Sequence, residues 1–444
     1  MKPLDAPQRM LSFADNPPLS LPLRYFLTAP LFAALASALL LWQGAPALLS
    51  RWSPLTLALT HLMVLGCVSM TMIGALQQLL PVVAGILLPR ADRVAVQVHA
   101  LLCAGTLLLA GAFWLGYAWL FGLAAATLLS ALLLFLGACV VGMWKHHLPG
   151  AGPVVAGIRL SLAALLPTIA LGALLASAFA LPQLAGLPLQ RLTNLHALWG
   201  LAGWVGLLVI GIAFQVGPMF MLTEPYPARL TGTYSAALFL LLVAASLSSG
   251  WQGPGQLVHL GCLALLAGGY ALFAANTLAL LLRRKRPRAD PTTLYWRSAM
   301  ACLLAALALW LGIGLQSDPG NAQPLALGVL LLGGVILSAI NGMLYKIVPF
   351  LCWYHLQELR PASGRKPPGI NQFISERRAQ WQFALHIAGV VVLTAGCYLP
   401  VLVRPGAAML CLACLGMAAN LANAARLHWR ERAAAPSNTV STPL

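Results

Sequence analysis

The stretch YAWLFGLAAATLLSALLLFLGACVVGM, residues 117–143, contains no charged side chain. An α-helix rises about 1.5 Å per residue, so roughly 20 such residues cross the hydrocarbon core of a bilayer. The whole chain is similarly apolar, because 60% of its 444 residues are hydrophobic and 8% are charged. Soluble domains contain roughly 25% charged residues. This composition excludes soluble and disordered folds, and the continuous apolar runs predict an all-α polytopic membrane protein.

Twelve runs of this kind are predicted as transmembrane helices. They cover approximately 25–42, 54–80, 93–115, 117–143, 154–180, 193–221, 230–249, 256–282, 296–315, 325–351, 380–399 and 404–427. The predicted organisation is a tail over 1–24, one membrane domain over 25–427 and a disordered polar tail over 433–444. Because the first 24 residues hold no apolar core, we expect no cleavable signal.

The basic residues predict the orientation. The chain has 26 Lys and Arg against 9 Asp and Glu, and only Arg51, Arg191 and Arg404 fall in loops on the poorer side. Positive loops stay in the cytoplasm, so both termini are expected there, in a bacterial-type inner membrane with the lipid bilayer as partner. This placement of Lys and Arg in cytoplasmic loops accounts for the net positive charge, so no nucleic-acid partner is expected. The run 283–288 is interpreted as a topology signal in preference to an anionic-lipid contact.

An internal repeat is visible in three octapeptides. GALQQLLP (74–81), GIAFQVGP (211–218) and GMLYKIVP (342–349) each place a polar residue four positions after Gly and a Pro seven positions after it. Gly allows close helix approach, and a polar side chain can satisfy the carbonyl that Pro frees. The spacing predicts three four-helix repeats with the block on the second helix of each. These repeats cover about 25–143, 154–282 and 296–427.

Histidines are the main chemistry-bearing groups of the predicted spans, which contain almost no carboxylate. This counts against carboxylate-based proton coupling. His61 and His196 both lie on the second helix of a repeat, 13 and 15 residues before the block Gly. Two positions rotate a helical side chain by about 200°, so the pair is not strictly symmetric. The two imidazoles could instead face one another between the first two repeats.

Neutral imidazole suits haem iron and copper. Near His61 the helix adds the sulfur donors Met63 and Cys67, which suit copper(I), although filling gaps in a helical core is the favoured interpretation of both. With His259, which is predicted in the same half of the membrane, they complete the candidate metal ligands His61, His196, His259, Met63 and Cys67. The nine Cys residues are expected to be reduced thiols.

These features resemble the haem–copper oxidase subunit I superfamily. The segment from His61 to Pro81 is similar to the second helix of nitric oxide reductase-type members, which begins with a haem-ligating His and ends in a Gly-Ala…Pro pattern. The resemblance implies that His61 is an axial ligand of haem b, and that copper is a possible second cofactor. It also implies a role in respiratory or nitrogen-oxide metabolism, with an electron-transfer or oxidase-assembly protein as the partner. The nitric oxide response (NnrS-like) membrane haem proteins are similar in style.

The chain departs from the oxidase pattern at the reducing centre. The position four residues after His196, where many oxidases carry Tyr, is Gly200. The seventh span lacks paired His, and the tenth has none, so oxygen or nitric oxide reduction is not expected. The second ligand of the haem is predicted among His196, His386 and Met343, in that order. Two other functions stay open: a permease for a small solute or metal, and a cofactor-free assembly or scaffold subunit.

Overall fold

The computed structural model describes residues 16–145, 152–184, 186–284, 288–357 and 368–434. Every regular element within these ranges is helical, which confirms the predicted all-α polytopic membrane class. The helices are α1 (Ser20–Gln43), α2 (Pro54–Ala84), α3 (Ala91–Leu115), α4 (Ala118–Lys145), α5 (Gly152–Ala180), α6 (Leu189–Met221), α7 (Tyr234–Ser248), α8 (Pro254–Leu282), α9 (Pro291–Gly314), α10 (Ala322–Gln357), α11 (Glu376–Gly396) and α12 (Val403–Ala433). Pro opens α2, α8 and α9, where its missing N–H costs no hydrogen bond.

Eleven spans in the described residues are long and apolar enough to cross a membrane, one fewer than the sequence predicts. The exception is α7, which has 15 residues and reaches only about 22 Å. It is short because the chain turns at Gly232 and Thr233, between the one-turn helix Ala228–Thr231 and α7. The predicted start of the first span was also wrong, because α1 begins at Ser20.

The two predicted tails fall largely outside the described residues. Residues 1–15 and 435–444 are not described, so the predicted disorder of the C-terminal tail stays a prediction. The described part of that tail begins as helix, because α12 continues to Ala433.

Each block-bearing helix contains a π-helical segment of eight residues. These segments are Leu62–Ser69 in α2, Trp199–Gly206 in α6 and Leu330–Leu337 in α10. Each begins twelve residues before the Gly of its block, as counted along the sequence. Because π-helix is rare and frequent at functional sites, this common register supports the repeat prediction, although it does not by itself establish the repeat boundaries.

The described chain forms two compact units. Among the described residues, the first unit comprises 16–22 and Met72–Asn276, and the second comprises Leu23–Thr71 and residues from Thr277 to the end of the described chain at 434. The unit boundaries fall inside α1, α2 and α8, and therefore differ from the predicted repeat boundaries. The division into three four-helix repeats stays a prediction.

The block glycines mediate close helix packing in both units. In the first unit, a Cβ placed on Gly211 of α6 would lie 2.9 Å from Cα of Gly157 in α5. In the second, a Cβ on Gly342 of α10 would lie 2.9 Å from Cβ of Tyr295 in α9. Gly at these positions therefore lets neighbouring helices approach closely, as the sequence predicts.

The polar residue of the block binds the start of an earlier helix. Gln78 Nε2 donates to Asn16 Oδ1 at 2.6 Å in the first unit, just before α1. Lys346 Nζ lies 2.7 Å from Asp290 Oδ2 in the second unit, just before α9. In these two blocks the polar side chain thus binds a side chain just before a helix, and satisfaction of the Pro-freed carbonyl stays a prediction.

Candidate functional site

His61 lies in the second unit, at the junction between regular α-helix and the π-helical segment of α2. Its Nδ1 lies 2.8 Å from the carbonyl oxygen of Leu57, one turn earlier. A carbonyl only accepts, so Nδ1 carries the proton and Nε2 is the unprotonated ring nitrogen. Metal-binding imidazoles are commonly fixed in this way, with one nitrogen donating to a carbonyl and the other facing the metal.

Packing around His61 places α1 against the π-helical segment. A Cβ on Gly66 would collide with the ring of Phe32. The absence of a side chain at Gly66 thus lets the aromatic ring lie directly on the backbone of α2. This contact holds the helix that carries His61, and its ring is half-buried within the unit.

His196 and His259 lie in the first unit, on α6 and α8. His196 Nδ1 donates to the carbonyl of Thr168 in α5 at 3.0 Å, and its ring packs on Gly172. His259 Nδ1 donates to the carbonyl of Ala245 in α7 at 2.9 Å. All three predicted imidazoles therefore share one tautomer, which leaves Nε2 as the potential ligating nitrogen.

The remaining predicted metal ligands divide by burial. Cys67 is 1% exposed and belongs to the packed interior of the second unit, whereas Met63 is half-buried. Among the residues that the structure describes, no group of three or more His, Cys, Asp or Glu is arranged to hold a metal ion. Haem differs from such a site, since one or two axial side chains suffice. The imidazole of His61 is a donor type that haem iron accepts, and both haem and copper stay predictions.

His386 differs from the other histidines. It lies on α11 in the second unit with none of its surface exposed. Its Nε2 pairs with Ser338 Oγ at 2.9 Å, the Gly333 carbonyl lies beside the ring, and its centroid is 5.4 Å from that of Tyr295. Nδ1 is buried and forms no hydrogen bond with the residues that the structure describes. Met343, the other second-ligand candidate in this unit, is half-buried on α10.

A buried polar network, which the sequence does not predict, surrounds Gln382 of α11. Gln382 Oε1 accepts from the hydroxyl of Tyr295 and, at 3.1 Å, from the hydroxyl of Tyr345. Its Nε2 donates to the carbonyl of Ala413 at 3.1 Å. Asn420 Nδ2 donates to Tyr345 Oη at 2.9 Å. The network joins α9, α10, α11 and α12 within an apolar interior.

The α10 contribution to this region is a polar stripe. Ser338, Asn341 and Tyr345 follow at spacings of three and four, which places them on one helix face. All three are buried. Asn341 faces Tyr295, but its Nδ2 has no hydrogen bond of good geometry. The spacing of these residues is visible in the sequence, but Ser and Asn are not ionisable and the stripe is therefore not predicted from the positions of the ionisable side chains.

A charged cluster marks the start of α9 in the second unit. Asp290 caps α9 by accepting from the backbone N–H of Thr293 at 2.9 Å and from its hydroxyl at 2.6 Å. Burial of the Asp290 carboxyl raises its pKa, but hydrogen bonds from Lys346 and Thr293 outweigh burial. The net pKa therefore lies below the ordinary value of 3.8, so the carboxylate is ionised near neutral pH.

Comparison with known proteins adds no relative. No protein-family model matches the chain, and no curated protein matches it. The resemblance to haem–copper oxidase subunit I therefore rests on the sequence pattern and stays a prediction.

Proposed function

We propose that this chain is a haem-binding membrane protein in which His61 ligates haem b through Nε2. The observation that carries the proposal is the Nδ1–H bond to the Leu57 carbonyl within a transmembrane helix. That bond fixes the ring orientation and keeps Nε2 unprotonated. Bound haem would supply reversible one-electron chemistry or binding of a small gaseous ligand at its iron.

The protein contributes a prepared ligand. The Leu57 carbonyl polarises Nδ1–H, which makes Nε2 a stronger electron donor. The carbonyl is supplied by the helix itself, so no second element must move before ligation. The contact of Gly66 with Phe32 holds the adjoining helix segment. Ligand orientation is thus set by local helix geometry and by packing of α1.

The second axial ligand is proposed among His196, His386 and Met343, in the order that the sequence predicts. His386 differs from His61 and His196 because, among the described residues, its Nε2, and not its Nδ1, forms a hydrogen bond, with Ser338. Ligation by this residue would use Nδ1 or require that hydrogen bond to break. A role in respiratory or nitrogen-oxide electron transfer, in a bacterial inner membrane with cytoplasmic termini, belongs to the same proposal.

Absorption spectra of the detergent-purified protein test the proposal. Oxidised and dithionite-reduced samples should show Soret and α bands in the unaltered protein and in the control His99→Ala. His99 is an intramembrane His that is not a ligand candidate, and it contacts Cys103. His61→Ala should abolish the bands. Full retention of haem by His61→Ala, in a protein that elutes as a folded species, would refute His61 ligation.

Second-ligand variants then divide the candidates. His196→Ala, His386→Ala and Met343→Leu are each compared by the position of the Soret band and by electron paramagnetic resonance. Replacing the residue that is the second axial ligand should change the spin state of the iron, whereas the other two substitutions should not. Metal analysis of Met63→Leu and Cys67→Ala tests copper, which should fall only if these sulfurs bind it.

A permease is the second candidate, and one observation favours it. Within the polar network of the second unit, the buried atoms Asn341 Nδ2 and His386 Nδ1 have no hydrogen-bond partner in the described part of the chain. Unsatisfied polar groups inside a membrane bundle are costly and often mark a path for a polar solute. A colourless, metal-free protein that moves solute into liposomes, and that loses flux in Asn341→Leu, would support this function. A colourless protein without flux would favour an assembly or scaffold role.

A further inference from the structure

An excess of positive charge surrounds the start of α9, in a part of the second unit that the proposed haem site does not use. Lys346 Nζ lies 2.7 Å from Asp290 Oδ2, and Arg284 Nη1 lies 3.7 Å from Asp290 Oδ1. Arg284 Nη1 also donates to the hydroxyl of Thr293. One carboxylate therefore faces two cations.

A third cation lies on the next turn of α9. Arg297 Nη2 donates to the carbonyl of Leu281 at 2.7 Å, at the C-terminal end of α8. Among the described residues, no carboxylate forms an ion pair with Arg297, whereas Asp290 pairs with both Lys346 and Arg284. Arg284, Arg297 and Lys346 with Asp290 thus carry a net charge of +2. Buried charge without an opposite partner is unfavourable, so this arrangement favours an additional anion.

Two guanidinium groups of the cluster also have unused donors. The Nε–H groups of Arg284 and Arg297 are buried and have no hydrogen-bond partner among the residues that the structure describes. The Arg284 side chain is only 3% exposed, which is deeper than a solvated surface Arg would lie. The Lys346 side chain is 30% exposed and the Asp290 side chain is 20% exposed. An external ligand can therefore reach the cluster from the side that these two residues occupy.

We propose that Arg284, Arg297 and Lys346 form an anion site that binds a phosphate group. Guanidinium groups present paired N–H donors that match phosphate oxygens, and an ammonium group adds a point charge. The site lies where α8 ends and α9 begins, at the adjoining ends of two helices that are long and apolar enough to cross a membrane. The phosphate of an anionic lipid headgroup is therefore the expected source, and free orthophosphate has the same chemistry.

The surrounding sequence strengthens the local field. Arg283 and Arg288 are both exposed and flank Arg284 along the chain. Arg284 Nη2 donates to the carbonyl of Arg288 at 3.3 Å. The sequence favours a topology signal for the run 283–288, whereas the described part of it places Arg284 inside a charged cluster.

Thermal unfolding of the purified full chain in neutral detergent tests the site. Phosphatidylglycerol should raise the midpoint of the unaltered protein by several degrees more than phosphatidylcholine does. Arg297→Gln should lose that difference. The matched control is Arg159→Gln, which removes one charge from an exposed position on α5 and should keep it. Orthophosphate at the same charge concentration forms a separate arm.

The outcomes divide cleanly. Stabilisation by phosphatidylglycerol alone supports a lipid headgroup, and equal stabilisation by orthophosphate supports a free phosphate at the same residues. Equal effects of the two lipids, or equal loss in Arg297→Gln and Arg159→Gln, would overturn the proposal. If Arg297→Gln does not fold, Arg297→Lys keeps the charge and lacks the Nε donor. It should weaken the lipid preference at least threefold in titration, and an unchanged preference would count against the site.

Discussion

Replacing Gly211 with Ala tests how tightly the first unit is packed. In this position a Cβ would lie 2.9 Å from Cα of Gly157 and 3.4 Å from its carbonyl carbon. Neither atom belongs to a flexible side chain, so rotamer changes cannot relieve the contact. The two helices α5 and α6 would have to separate, or their backbones would have to bend.

The size of the effect follows from the distances. Carbon atoms pack favourably at about 3.5 to 4.0 Å, so the helices must move apart by about 0.6 to 1.1 Å at Gly211. Overpacking of this kind costs about 1 to 3 kcal/mol. Ala gains up to about 1 kcal/mol over Gly in a helix interior, which offsets part of the cost. We expect a net loss of about 0 to 2 kcal/mol in the free energy of unfolding, and a loss of about 1 to 3 kcal/mol relative to a Gly→Ala change without the contact.

The measurement is reversible unfolding in mixed detergent micelles, followed by circular dichroism. Gly137→Ala in α4 is the matched control, because nothing lies within 4 Å of a Cβ there. It should be neutral or stabilising. The double variant Gly157→Ala with Gly211→Ala should lose less than the sum of the single losses, because one separation accommodates both methyl groups. Equal stability of Gly211→Ala and Gly137→Ala would refute the packing argument.

Two further predictions concern polar groups of the second unit. Tyr345→Phe removes a hydroxyl that bonds Gln382 and Asn420, and should lower the unfolding free energy by about 1 to 3 kcal/mol; an unchanged thermal midpoint would contradict the network. Asp290 has a pKa below 3.8 in the folded protein, so its stabilising contribution is present above that value and is lost as the pH falls through the folded pKa. Melting curves between pH 7 and pH 3 should show a difference between Asp290→Asn and the unaltered protein that shrinks toward the acid end, and a constant difference would exclude this role of the carboxylate.

The helical architecture could be predicted because it depends on one-dimensional patterns. Long apolar runs bounded by charged and Pro-rich segments fix where helices begin and end within a few residues. The exception, α7, begins later than predicted because the chain turns at Gly232 and Thr233. A hydropathy pattern does not detect such a turn. The π-helical segments are also invisible to the pattern, since these helices are apolar on nearly every face.

The candidate sites depend on tertiary packing to different degrees. The bond from His61 to Leu57 is local, because a His in a helix reaches the carbonyl four residues earlier. The network around Gln382 joins residues 31 to 87 positions away, so only the folded helices bring them together. The charged cluster at Asp290 was missed because its members were interpreted separately, as a repeat residue and as topology signals.

Chemical rescue at position 61 tests the central claim most directly. The unaltered protein should contain about one haem b per chain by the pyridine haemochrome assay. His61→Gly should contain almost none, and imidazole added during haem reconstitution should restore the Soret band by replacing the missing ligand. A colourless unaltered protein after haem reconstitution, or His61→Gly with full haem content in the absence of imidazole, would contradict ligation by His61.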